Sequence, residues 1–134
     1  MRYVLDASVA VAALRSSEPA HEAALRHCLP LFAGRDQAVV PAIFDLEVIS
    51  ALVRRGADPA RVALFFEQHF GARQLVTVGP RAVHAVLPIV GTTRLRAADA
   101  LYVWLALREG VPLVTADQEM LTRARTIGVK AMNP

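Results

Sequence analysis

Residues Arg96–Asp117, RAADALYVWLALREGVPLVTAD, set one carboxylate into an otherwise apolar run. Between Ala97 and Leu107 every residue except Asp99 is apolar, and Gly, Pro and turn formers are missing, so the span reads as a buried helix. An ionised acid in low dielectric is strongly disfavoured unless it is paired, hydrogen-bonded or bound to a cation. Asp99 therefore has a partner or is a ligand. Gly110 and Pro112 end the helix, and VPLVT follows as a short buried strand delivering Thr115 and Asp117 at its C-terminal end.

The start of the chain repeats the device. Arg2–Leu5 is a short apolar strand, and Asp6-Ala7-Ser8 follows it directly before an Ala/Val-rich helix. In open α/β sheets, ligands bind at the edge where strands end and helices begin. Asp6 and Asp117 can each also be plain N-caps, since Asp is a favoured capping residue. That alternative weakens when Asp6, Asp99 and Asp117 are expected along one edge of one sheet.

In chain order, a helix is expected near Ser8–Leu14, and a second, opened by Glu18-Pro19, runs toward Cys28 with Pro30 disturbing its end. Ala38–Val40 reads as a strand stopped by Pro41, Ala42–Arg55 as a helix ending at Gly56, and Asp58-Pro59 as the cap of a helix reaching about Phe70. Leu75–Val78 is a strand, Pro80–Val90 a helix, and Gly91–Arg94 a loop. Asp117 starts the last helix, and Lys130–Met132 forms a terminal strand. Short strands alternating with helices predict an α/β fold, a parallel sheet with helices on both faces.

A chain of 134 residues without repeats, linkers or low-complexity segments is read as one domain, 1–134. Hydrophobic residues at 54% exclude disorder, and the net charge of +3 mildly suits a polyanionic partner. Cys28 has no second cysteine to pair with, so it packs, and a reducing compartment fits. His21, His27, His69 and His84 are scattered away from the acidic motifs, which argues against a zinc site or a histidine-activated nucleophile. No secretory pattern or run of roughly 20 apolar residues appears, so a cytoplasmic protein with no membrane association is expected.

Taken together, YVLDASV, a Glu inside the apolar helix DLEVISAL, RAADALYVWLA and LVTAD resemble the PIN-domain ribonucleases, and within them the VapC-type toxins of toxin–antitoxin pairs. The resemblance spans essentially the whole chain, with RxxDA and LVTAD as its specific part. It implies a three-layer fold with a short central parallel sheet of four to five strands. The family's acidic set falls on Asp6, Glu47, Asp99 and Asp117, with Ser8 and Thr115 as accompanying hydroxyls. On the residues alone, Asp45 and Glu47 stand even; the resemblance favours Glu47. Glu119 is read as supporting the first turn of its helix.

A cluster of converging carboxylates persists only if protons or cations neutralise it, and an oxygen-only donor set selects Mg²⁺ or Mn²⁺. The expected function is accordingly metal-dependent endoribonuclease, the toxin of a toxin–antitoxin pair. Asp6, Asp99 and Asp117 are expected as metal ligands, Glu47 as completing the site or holding water, and Ser8 and Thr115 as orienting the carboxylates. Arg94 and Arg96 are the best-placed basic residues for a substrate phosphate, with Arg15 behind them; Arg96 can equally form an ion pair with one of the acids. The resemblance also implies RNA as substrate, a homodimer and a VapB-like antitoxin. Leu52, Val53, Val62, Leu64, Phe65 and Phe66 offer apolar surface beyond what one helix face requires. Two other classes remain open, a catalytically silent PIN-like module that binds RNA or protein, and a metal-dependent DNA nuclease.

Overall fold

The computed structural model describes residues 1–134. Its strands are β1 (Arg2–Leu5), β2 (Gln37–Pro41), β3 (Arg73–Val76), β4 (Leu113–Val114) and β5 (Ala131–Met132). They form one five-stranded sheet, ordered β3-β2-β1-β4-β5, in which every neighbouring pair is parallel. The helices are α1 (Ala7–Leu14), α2 (His21–Phe32), α3 (Phe44–Val53), α4 (Pro59–His69), α5 (Pro80–Thr93), α6 (Ala97–Glu109) and α7 (Gln118–Thr126). This is the α/β architecture expected, at the upper end of the expected strand number.

Strand order decides which helices share a face. From β1 the chain steps outward to β2 and β3 through α1–α4, then returns across the sheet to β4 and β5 through α5–α7. Right-handed crossovers place these two groups on opposite faces. The packing agrees: α1 contacts α2 and α3, α3 contacts α4, and α6 lies across β1, β2 and β4 with α5 beside it. With both faces covered, the middle of the sheet is apolar throughout, and Tyr3, Val4, Leu5, Val39, Leu113 and Val114 are fully buried.

Several boundaries differ from expectation. Pro30 does not stop its helix but sits inside the last turn of α2. Its carbonyl accepts from the N–H groups of Arg35 and Asp36 at 2.9 and 3.2 Å, so the chain turns just beyond it. The expected loop Gly91–Arg94 is helical through Thr93, because Ile89 and Thr93 are buried one turn apart and the Thr93 hydroxyl donates to the Ile89 carbonyl at 2.6 Å. β3 lies two residues earlier than expected, paired through Ala38↔Arg73 to Pro41↔Val76. The surplus apolar surface is mostly absorbed: Leu52, Val62 and Phe66 are core, Val53 and Phe65 are half-buried, and only Leu64 is exposed. Phe66 stacks on Phe70 with centroids 4.8 Å apart. Cys28 is free and buried. No helix is long and apolar enough to cross a membrane.

Candidate active site

The chain reverses its direction across the sheet between β1 and β4, and the crevice beyond the carboxyl ends of such a pair is where open α/β sheets bind ligands. Asp6 and Thr115 are the residues that leave those two strands. The register Leu5↔Val114 and the bond from Asp6 N–H to the Val114 carbonyl, 3.0 Å, set them side by side. Thr115 Oγ1 donates to Asp6 Oδ2 at 2.8 Å, and the Ser8 hydroxyl donates to the same oxygen. Each hydroxyl in turn accepts a backbone N–H, Ser8 from Ala116 at 3.1 Å and Thr115 from Asp117 at 3.0 Å. Asp6 occupies the N-cap position of α1, yet its side chain makes no capping bond. The plain-cap alternative therefore does not describe it.

Asp117 does cap its helix, Oδ1 accepting from the Met120 N–H at 3.0 Å. Asp99 sits in the first turn of α6, half-buried. Glu47 reaches the same region from α3, whose buried stripe Phe44, Val48 and Leu52 turns it inward. Its Oε1 accepts a hydrogen bond from Tyr102 Oη at 2.7 Å. Tyr102 is fully buried on α6 three residues after Asp99, so the two share a helix face. Asp45 is instead clamped by Arg73 through bonds of 2.8 and 2.7 Å, so of the two acids it is Glu47 that meets α6. Tyr102 was not anticipated; its place one turn along from the anomalous Asp99 was the available signal.

Charge binds these residues into one group. Burial, with the charges of Asp99 and Glu47 adding to it, pushes the Asp6 carboxyl up to about 6 against the opposing hydrogen bonds of Ser8 and Thr115. Glu47 is raised by burial and by Asp99, with the Tyr102 hydroxyl opposing. Asp99 is raised by burial and then by Asp117, with Arg96 opposing and Glu119 adding to the rise. Glu119 itself forms an ion pair with Arg123 at 2.8 Å. None of Asp6, Glu47, Asp99 or Asp117 has a basic partner within ion-pair distance, so the Arg96 ion pair does not form.

Ser8, Glu47, Arg96 and Asp117 line a cleft of about 680 Å³; neither Asp99 nor the buried Asp6 is in its lining. Arg94 is not in its lining: it is exposed, in the left-handed conformation that ends α5, φ 60°. The donor set is oxygen-only, negative and without a neutralising partner, which fits a hard divalent cation. No three of the chain's His, Cys, Asp and Glu side chains are drawn into a ligand shell.

The family model of the PIN domain matches residues 3–126, and the chain belongs to this family. No curated protein matches the sequence significantly. Among solved structures, the fold is similar to Mycobacterium tuberculosis VapC20, a sarcin-ricin loop cleaving toxin, with TM-score 0.72, 17% identity and 100% of each chain covered. It is also similar to Rickettsia felis VapBC2 bound to a promoter DNA fragment, TM-score 0.71, 14% identity, covering 100% of this chain and 99% of that one. A Pyrobaculum aerophilum protein gives TM-score 0.68 at 22% identity, with 99% and 92% covered.

Proposed function

We infer that this chain, acting as a single PIN domain, is a metal-dependent endoribonuclease and the toxin of a toxin–antitoxin pair. The observation that carries the reading is the group of unpaired, mutually repelling carboxylates at the topological switch point. Asp6, Asp99 and Asp117 would hold Mg²⁺ or Mn²⁺. When bound, such a cation lowers the pKa of water and offsets the charge developing on a phosphodiester. Glu47, whose carboxyl burial raises and whose Oε1 Tyr102 holds, is the group proposed to exchange a proton with the attacking water. Ser8 and Thr115 both hold Oδ2 of the Asp6 carboxylate, leaving Oδ1 without a hydrogen bond and free to act as a ligand. Of the two arginines that line the cleft, Arg55 and Arg96, it is Arg96 whose charge acts on Asp99, and it counters repulsion between an incoming phosphate and the acids.

The similarity to Rickettsia felis VapBC2 supports an antitoxin as the regulator, and a homodimer in the cytoplasm is the proposed setting. The test is cleavage of end-labelled RNA by the purified protein with Mn²⁺ or Mg²⁺, with EDTA, and with Asp99→Asn. Metal-dependent cutting, abolished by EDTA and reduced at least a hundredfold by Asp99→Asn, is expected. RNA that is bound but never cut under any of these conditions would make the chain a silent binding module instead.

A further inference from the structure

The acidic cleft does not end at the acids. Arg55 lines it and also lines two adjoining clefts, of about 500 and 240 Å³, so the three meet at Arg55 in a run of clefts over α1, α3 and α4. Charge changes sign along it. Glu18, in the wall of the acidic cleft, holds Arg15 at 3.3 Å and Arg55 at 3.7 Å, which fixes both guanidinium groups at the junction. Beyond it, Arg54 and Arg61 line the smaller clefts without any ion pair, and no acidic residue lines either cleft. The floor is apolar, with Leu14, Leu52 and Val62 beside the half-buried ring of Phe65. A polyanion centred on the acids needs this kind of neighbour, because the catalytic carboxylates repel every phosphate near them.

We propose that this arginine-lined groove carries the single-stranded RNA segment adjoining the scissile phosphate. It rests on the nuclease reading and adds the path of the substrate. Arg55 and Arg61 bind backbone phosphates, Arg15 and Arg54 flank them, and Phe65 gives an unpaired base an apolar surface. Guanidinium groups on the walls and an apolar floor suit a strand whose phosphates point outward and whose bases point in.

The experiment is fluorescence anisotropy of a labelled oligouridylate against the whole protein in EDTA, at a series of salt concentrations. Each phosphate contact to a single strand contributes about 0.7 to the slope of log affinity against log salt. Arg55→Ala/Arg61→Ala is expected to lower that slope by about 1.4, and Arg55→Lys/Arg61→Lys to restore most of it. The control is Arg26→Ala/Arg35→Ala, two exposed arginines outside the groove, with circular dichroism verifying every fold. Equal slopes in the groove and control variants, or no RNA bound by the unaltered protein, would overturn the proposal. So would a groove variant that keeps its RNA slope while losing a protein partner. Cutting with Mn²⁺ is scored separately: a protein that cuts with an unchanged slope loses the groove and keeps the nuclease reading, and one that binds through the groove without cutting does the reverse.

Discussion

A carboxyl raised to about 6 by burial is useful only if something other than a proton stabilises its ionised form, and Asp6 is held in that state by its Ser8 and Thr115 hydroxyls. Thr115→Val keeps the shape of this fully buried side chain and deletes one donor, so the Asp6 carboxyl rises further. The acidic limb of Mn²⁺ binding should then move to higher pH, read by titration calorimetry at several pH values. Tyr102→Phe likewise removes one hydroxyl and leaves the ring. Without that bond Glu47 is free to rotate, and kcat should fall about tenfold or more while the melting temperature changes by only a few degrees. Asp6, Asp99 and Asp117 were legible because an acid in an apolar run, or at a strand's end, breaks the local pattern. Tyr102 conforms to that pattern and so gives no sign of its hydroxyl. On the residues alone Asp45 and Glu47 could not be separated, because Arg73, which claims Asp45, comes from a strand 28 residues away.

Elements were legible wherever apolar periodicity was long, and least so where tertiary contacts decide an end. α6 and α1 lie close to where their apolar runs put them. α5 runs on through Gly91 and Thr92 because Thr93 is buried behind them and its carbonyl also receives the Arg123 guanidinium. Glycine in that exposed helical turn is a local weakness, and a Cβ added there would meet nothing within 4 Å. Gly91→Ala should stabilise the fold by about 0.5–1 kcal/mol, measurable by urea unfolding, with no change in metal binding. A loss of stability would mean that the turn is not helical. β4 and β5, two residues each, are near the lower limit of a strand, and they hold their places through parallel pairing to a buried neighbour. No sequence pattern that short fixes its own boundaries.

For the whole molecule, the switch point concentrates negative charge, and the fold carries that as a cost unless a cation is present. Asp6, Glu47 and Asp99 all bind a proton more tightly folded than unfolded. The contribution of Asp6 to stability is thus fully present below the ordinary carboxylate range, near pH 4, and is lost as pH rises through about 6, and Glu47 and Asp99 act in the same direction. Above that range the metal-free protein is destabilised by its own site. His27, lowered by burial, acts in the opposite sense, so the informative quantity is a difference between variants. In EDTA at neutral pH, Asp99→Asn should melt higher than the unaltered chain, by about 2–4 °C if the relief is near 1 kcal/mol. That gap should close as the pH is lowered toward 4. Mn²⁺ should raise the melting temperature of the unaltered protein and leave that of Asp99→Asn nearly unmoved.

The measurement that tests the central claim most directly is titration of Mn²⁺ into metal-free protein by calorimetry, with Asp99→Asn alongside, at neutral pH and near pH 5. Saturable binding to the unaltered chain at neutral pH is predicted, weakened at least tenfold near pH 5 and lost in the variant. Binding that is absent at neutral pH, or equal in the variant, would contradict the assignment of these carboxylates as a metal site.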